Sequence, residues 1–352
     1  MKNAKGPVRI SWQRLSLIVL CVILALVLFV LLFATAYVHH LLSLITVDPD
    51  DSLHETLSPE QLATATDDEH DPFFTGPSVG HEDVTQATLP STPKEDLKVE
   101  GIINIMLVGE DRRPGESRQR SDSMILCSFN TKKNTITMIS FLRDTYISKI
   151  PGYWAEKLNA AYCFGGFKTL DQTLAAYFGV HVDANVVVDF DGFKGIIDML
   201  GGVDIELTQK EVNHLNQNHG WTLSAGMNHL NGEKALAYSR IRKIDMDAMR
   251  AQRQRKVLTA LINAYKSKSV TEMASLASQI LQTGFIKTDM TSNEVLNYVT
   301  SLFPMLSSAT INSQQIPAAG TYTDMTVGKI TYTKVADLEV NRKILQRIFS
   351  VD

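Results

Sequence analysis

From Leu15 to Val38 the chain carries no charged residue and almost nothing but apolar side chains, and this run limits what the molecule can be more than any other feature. At about 1.5 Å of rise per residue, a helix of this length spans the roughly 30 Å hydrocarbon core of a bilayer. A secretory signal peptide has an apolar core of only about 7–15 residues. The run therefore reads as an uncleaved anchor, although Ala34-Thr35-Ala36 has the small residues of a cleavage site. Lys2, Lys5, Arg9 and Arg14 precede the run without an acidic neighbour, whereas Asp48, Asp50, Asp51 and Glu55 follow it and no Lys or Arg returns until Lys94. The positive-inside rule then predicts a single pass at the cell membrane, with residues 1–14 cytoplasmic, 15–38 transmembrane, and the C-terminal remainder extracytoplasmic.

Residues 39–97 are rich in Asp, Glu, Ser, Thr and Pro with little periodic hydrophobicity, and read as an acidic extracytoplasmic linker. Residues 98–352 are expected to form one folded domain. The net charge of −4 supplies no basic field for nucleic acid, and residues 1–14 leave no room for a DNA-reading element. The three cysteines, Cys21, Cys127 and Cys163, lack metal-ligand spacing, as do the nine histidines. Buried small hydrophobes are the reading for Cys127 and Cys163, with a disulfide between them as the alternative.

Strand-like runs are expected at Ile102–Val108, Ser123–Phe129 and Thr135–Phe141. The polar stretch Asn130-Thr131-Lys132-Lys133-Asn134 makes the last two a hairpin. With Asn130 opposite Thr135, counting outward sets Asp122 opposite Arg143. Helix is predicted at Lys168–Phe178, closed by Gly179, and at Gly192–Leu200, closed by Gly201-Gly202. Val186–Val188 reads as a buried strand, Val203–Leu207 as a half-exposed one, and Glu233–Tyr238 as a short helix. An extended Arg240–Arg242 would aim both arginines to one face. A long helix is expected from Asp247, as N-cap, to Ala264 or beyond, with Arg250 and Gln254 on its inward stripe. Further helices, a strand at Lys329–Thr333 and a last helix over Asp337–Phe349 complete an α/β fold: a mixed central sheet flanked by helices.

Arginines and aspartates gather at the ends of these segments. Guanidinium groups match phosphate oxygens and stay charged, and carboxylates among them suit a hard cation such as magnesium. An Arg and a Gln on an inward stripe need partners, which a bound anion would supply. The pattern points to phosphoryl or pyrophosphoryl chemistry. Arg112, Arg113, Arg253, Arg255 and Lys256 read as ordinary solvated charges, Asp144 as either a cap or a partner of Arg143, and Asp191 as a helix cap.

Several ordered blocks resemble the LytR-CpsA-Psr family. They are Asn104-Ile105-Met106-Leu107-Val108-Gly109-Glu110-Asp111, Arg120-Ser121-Asp122-Ser123, Ser140-Phe141-Leu142-Arg143-Asp144, and Lys157-Leu158-Asn159-Ala160. Val187-Val188-Asp189-Phe190-Asp191-Gly192 follows, then Leu230-Asn231-Gly232-Glu233 through Arg240-Ile241-Arg242, leading to Asp247, Arg250, Arg253 and Gln254. The resemblance implies transfer of a phospho-glycopolymer, of teichoic-acid or capsular type, from a polyprenyl pyrophosphate carrier to a peptidoglycan hydroxyl, with polyprenyl phosphate released. It implies catalytic roles for Asp111, Asp122 and Arg143, with magnesium (or another divalent cation such as manganese) on Asp111 and Asp122. It also implies pyrophosphate binding by Arg120, Arg143, Arg240, Arg242 and Arg250, with Gln254 as polar partner. Leu142 stands where relatives often have Pro, and Asp247-Ala248-Met249-Arg250 where they often read Asp-Phe-Gly-Arg. Two alternatives keep the same residues: a non-catalytic protein that binds lipid-linked precursors, and a pyrophosphatase in which water replaces the sugar hydroxyl.

Overall fold

The computed structural model describes residues 40, 43, 46–47, 98–110, 118–242, 244–245, 247–327 and 330–351. The chain divides into two units, Met1–Leu44 and Ile45–Asp352. Of the first, only His40 and Ser43 are described, as helix, with the Ser43 hydroxyl donating to the His40 carbonyl at 2.7 Å. The expected cytoplasmic segment, the span 15–38 and residues 51–97 of the expected linker lie outside the described residues. No helix among the described residues is long and apolar enough to cross a membrane.

The second unit runs β1 (Thr46–Val47), β2 (Ile102–Glu110), β3 (Ser121–Asn130), β4 (Thr135–Phe141), β5 (Tyr146–Ile147), β6 (Glu156–Lys157), α1 (Leu158–Phe178), β7 (Ala184–Asp189) and α2 (Phe190–Leu200). It continues with β8 (Val203–Leu207), α3 (Gln209–His219), β9 (Gly226–Leu230), α4 (Gly232–Ser239), α5 (Asp247–Lys266) and α6 (Val270–Thr283). It closes with β10 (Ile286–Thr288), α7 (Ser292–Ser308), β11 (Thr310–Ile316), β12 (Tyr322–Val327), β13 (Ile330–Val335) and α8 (Leu338–Phe349).

Seven strands form a mixed sheet in the order β1-β10-β7-β2-β3-β4-β11. The β2–β3–β4 meander is antiparallel, while β7 joins β2 and β11 joins β4 in parallel. Both faces of the sheet are covered, which is why its central strands read as nearly continuous apolar runs. Ile102, Met106 and Val108 of β2 point one way, into a core with Phe167, Leu170 and Leu174 of α1 and Leu345 and Phe349 of α8. The alternate residues Ile103 and Ile105 face Leu302 and Met305 of α7, and Leu107 faces Leu258 and Ile262 of α5. A further apolar cluster joins Ile197 of α2, the antiparallel β8–β9 pair, Val212 and Leu215 of α3, Tyr238 of α4 and Val257 of α5.

The hairpin register predicted from the sequence is the one found. Asn130 pairs with Thr135, and the ladder runs to Ile125 opposite Ser140. The Asn130 carboxamide oxygen accepts the Lys132 and Lys133 amides at 3.2 and 2.8 Å, so the turn is closed by the side-chain chemistry that marked it. Other boundaries move. The helix expected from Lys168 begins at Leu158 and is interrupted at Gly165–Gly166, where Gly166 has φ 64 and ψ −155, a region open to glycine alone. Val203–Leu207 alternates buried and exposed as expected but pairs with β9, outside the central sheet. Asp189, not Asp191, caps α2, its side chain accepting the Gly192 amide at 2.7 Å; Asp191 instead pairs with Lys194 on the surface. Cys127 and Cys163 are both buried free thiols, which removes the disulfide alternative.

Candidate active site

Extending the β3–β4 ladder past its last pair brings Asp122 and Arg143 together at one sheet edge, and the side chains meet there. Arg143 Nη1 lies 2.9 Å from Asp122 Oδ1. Arg242, just beyond α4, reaches the same oxygen with Nη2 at 3.0 Å. Both of these hydrogen bonds go to Oδ1, and none from the described residues goes to Asp122 Oδ2. Arg143 is also the centre of a wider ring: its Nε lies 3.7 Å from Asp144 Oδ2 and 3.8 Å from Asp247 Oδ1. Lys157, at the entrance to α1, pairs with Asp144 Oδ1 at 2.8 Å.

α5 contributes from the far side. Asp247 is its first helical residue, and its Oδ1 lies 2.5 Å from Arg250 Nη2, one turn along. Burial pushes the Asp247 carboxyl up, against the pull of Arg250, Arg143 and Arg242. Arg250 is 4 % exposed, and burial together with the neighbouring Arg143 and Arg242 pushes its guanidinium down to about 10, which still leaves it cationic at neutral pH. Its Nε and Nη1 are buried without a hydrogen-bond partner among the described residues. A buried donor left unpaired costs about 1–3 kcal/mol, more when charged, and a bound anion is one partner that would satisfy two such donors on one guanidinium. Gln254 follows one turn later, its amide 3.5 Å from the Asp122 carbonyl.

Arg120 and Arg240 are not part of this ring as described. Arg120 is buried beside Glu156, Nη2 to Oε2 3.6 Å, in a polar layer that includes Glu110 and Arg118. In that layer Glu110 accepts the Gln119 amide at 2.6 Å, and Arg118 donates to the Cys163 carbonyl at 3.2 Å. The expected extended Arg240–Arg242 segment is not found. Arg240 is the C-cap of α4, with φ −98 and ψ 0, so the two side chains part: Arg242 goes to Asp122, and Arg240 lies 4.2 Å over the Phe190 ring. Asp111, Arg112 and Arg113 lie outside the described residues; the chain toward them leaves β2 after Glu110, which is paired with Asp189 of β7.

Two arginines read as solvated are buried. Arg253 donates to Glu211 Oε1 at 2.7 Å, to the Ile241 carbonyl at 3.1 Å and, through both Nη atoms, to Asp245. It thereby tethers the loop that carries Arg242. Arg255 donates to the Ser313 hydroxyl at 2.6 Å, and burial pushes it down to about 10. Both lie on a helix wedged between two apolar clusters, a circumstance that a one-stripe reading of α5 does not convey. Asp144, Lys157 and Asp247 are the additions to the site; the Arg-Asp pair at 143–144 and the cap position of Asp247 were the signals available for two of them.

Among the described residues, no group of three or more His, Cys, Asp or Glu side chains is placed to hold a metal ion. The Asp122 carboxylate is an oxygen donor of the hard type that suits magnesium.

The LytR_cpsA_psr family model matches residues 75–346. A polyisoprenyl-teichoic acid–peptidoglycan teichoic acid transferase, TagU of Bacillus anthracis, is 34% identical over 202 residues, which cover 55% of this chain and 63% of the relative. The match thus spans less than two thirds of that protein. Among solved structures, TagT bound to LIIa-WTA is 26% identical with a TM-score of 0.59, covering 76% of this chain and 96% of that one. TagT with bound octaprenyl pyrophosphate lipid is 25% identical with a TM-score of 0.56, covering 75% and 97%.

Proposed function

Because the chain belongs to the LytR-CpsA-Psr family, we propose that it transfers a phospho-glycopolymer, of teichoic-acid or capsular type, from a polyprenyl pyrophosphate carrier to a peptidoglycan hydroxyl. The observation that carries the reading is the buried Arg250, with two nitrogens unpartnered, set beside Arg143 and Arg242. These three guanidiniums would hold the pyrophosphate oxygens, with Gln254 alongside. The likeness to a structure with bound octaprenyl pyrophosphate supports the carrier, and the relatives' names support the polymer and acceptor.

In the reaction the acceptor hydroxyl oxygen bonds to the glycan-side phosphorus. The bridging P–O bond breaks, and polyprenyl monophosphate leaves with the electron pair. Charge builds on the leaving phosphate, where preorganised guanidiniums stabilise it without having to reorganise. Arg143 and Arg242 both donate to Asp122 Oδ1, and Oδ2 would take the proton that the acceptor hydroxyl loses, or would help hold a divalent ion. Magnesium held by Asp122 and Asp111 would neutralise phosphate charge and orient the attacking oxygen. The N-terminal run would keep the domain at the membrane surface that carries the lipid-linked substrate, with the C-terminal part extracytoplasmic.

The test uses the full-length chain in lipid nanodiscs with a polyprenyl-pyrophosphate glycan and peptidoglycan fragments, with and without magnesium. Glycan appearing on the fragments, one polyprenyl phosphate released per transfer, is the expected result. Release of lipid phosphate without acceptor labelling would make the protein a pyrophosphatase, and tight binding without turnover would make it a binding protein.

A further inference from the structure

The ladder between β2 and β3 is regular as far as Gly109 opposite Ser123, then shifts, so that Glu110 falls opposite Ser121. Asp122 is the residue passed over, the extra residue of a bulge, and bulges beside active sites re-aim side chains in this way. Ser123 still belongs to the regular part of the strand, where side chains alternate between the two faces. It therefore shares a face with Ile125 and Cys127.

That face is covered by α5, whose Leu258 and Ile262 pack with Ile125 and Cys127. Ser123 is the next side chain on the face toward the active-site edge, and Gln254 is the residue one turn before Leu258. The two strings converge there: Gln254 Nε2 lies 3.5 Å from the Asp122 carbonyl, which belongs to the peptide leading into Ser123. One turn further back on α5 stands Arg250, with Nε and Nη1 buried and unpartnered among the described residues. The Ser123 side chain is half-buried, and no hydrogen bond among the described residues ends on its hydroxyl.

The hydroxyl occupies a slot that Gly109 leaves for it. A Cβ on Gly109 would lie 2.5 Å from Ser123 Oγ but 3.6 Å from Ser123 Cβ. A methyl group there would thus evict the hydroxyl into another rotamer while leaving the rest of the residue in ordinary contact. Gly109 is not among the glycines with positive φ, so alanine would change the room for the hydroxyl and not the course of the chain. A hydroxyl rotates its one O–H toward whatever acceptor is offered. Beside the Arg250 donors, an acceptor-rich anion is the partner that serves all of them. We propose that the Ser123 hydroxyl donates to an oxygen of the bound pyrophosphate, and that Gly109 is the positioning residue that keeps the hydroxyl in place. The inference rests on the transferase reading above and adds to it an uncharged donor next to Asp122.

The experiment measures affinity of the full-length chain in nanodiscs for a short-chain polyprenyl pyrophosphate, by calorimetry in magnesium buffer, for wild type, S123A, S123T, G109A and G109A/S123A. S123A should weaken binding about ten- to a hundredfold, the range of a hydrogen bond to a charged acceptor. Its melting midpoint should stay within about 2 °C of wild type, because the folded chain loses no internal hydrogen bond. S123T, which keeps a hydroxyl, should recover most of the affinity. G109A should bind as weakly as S123A, and the double variant no more weakly than S123A alone, an outcome that a purely structural role for the glycine would not give. Wild-type affinity in S123A would overturn the proposal while leaving the transferase reading intact. Recovery of S123A by excess magnesium would make the hydroxyl a cation ligand and overturn the proposal too. A double variant weakened by the product of the two single losses would overturn the role of Gly109. A wild-type chain that binds no polyprenyl pyrophosphate would overturn both the proposal and the transferase reading.

Discussion

Replacing Arg253 with alanine removes the donor from Glu211 Oε1, from the Ile241 carbonyl and from Asp245 at once. The side chains of Arg253 and Glu211 are 3% and 9% exposed, while that of Asp245 is 20% exposed. Deleting one partner of a buried ion pair costs about 3–5 kcal/mol, chiefly because the remaining charge is stranded. Glu211 would be stranded, but Asp245 retains some water, which places the expectation at the lower end, about 3 kcal/mol. For a folded unit of this size each kcal/mol shifts the midpoint by about 2–4 °C, so R253A should melt roughly 6–12 °C below wild type. Glu211 would not rescue itself through its other role: Oε2 closes a capping box with Thr208 at 2.9 Å, and Oε1 is the oxygen that faces Arg253. Thermal denaturation followed by circular dichroism, on R253A, E211Q and the double variant, gives the coupling directly. A second consequence separates tether from stability. Ile241 and Asp245 flank Arg242, so turnover in R253A should fall even at temperatures where the variant is fully folded. Melting within about 2 °C of wild type, with turnover unchanged, would show that Arg253 is no tether, because a shift that small is under about 1 kcal/mol.

Asp171 of α1 accepts a hydrogen bond from Asn185 at 3.0 Å, and the same amide nitrogen serves Asp289 at 2.8 Å. Burial, opposed by the Asn185 bond and reinforced by Asp289, pushes the Asp171 carboxyl up to about 7. Its folded pKa is above the unfolded value of about 3.9, so the folded state holds the proton longer and stability falls as pH rises from about 4 through 7. D171N should therefore be more stable than wild type at pH 8, by about 1–3 kcal/mol, and equal to it near pH 3.5, as read by urea denaturation at the two pH values. Arg255 is 8% exposed, and its Nη1 has no partner among the described residues. Substitution by methionine should thus be neutral or stabilising by about 1 kcal/mol in thermal denaturation, and a loss above about 2 kcal/mol would contradict that account.

Much of this arrangement was legible because local signals agreed with one another. The polar turn at Asn130–Asn134 and the alternation in the strands around it fixed the hairpin register, and register alone brought Asp122 to Arg143. The inward stripe of α5 likewise exposed the problem of Arg250 and Gln254 before any partner was visible. The rest depended on tertiary context. Thr310–Ile316 is polar at five of its seven positions, so little in its pattern marks β11 as a strand; its backbone is claimed by β4 instead. Leu142, in the place of a common proline, donates its amide to Ile316 at 2.8 Å and helps fasten that strand, a bond that proline could not make. Arg253 and Arg255 look like surface charges in a basic run, and only the packing of α5 on both sides reveals their burial. The separation of Arg240 from Arg242 came from the end of α4, which runs one residue past the expected Tyr238 to Ser239 and takes Arg240 as its cap in place of the expected extended segment.

On the proposed function, the ring of Arg143, Asp122, Arg242 and Arg250 carries out transfer at a pyrophosphate. The most direct measurement is the rate of glycan transfer to peptidoglycan fragments by R143A and D122N, beside wild type and with folding checked by circular dichroism. Loss of one preorganised contact of this kind costs about two to three orders of magnitude in rate, so each variant should fall at least a hundredfold while remaining folded. Transfer by folded R143A and D122N within about tenfold of wild type would contradict the account, because contacts that matter at the transition state cost more than that.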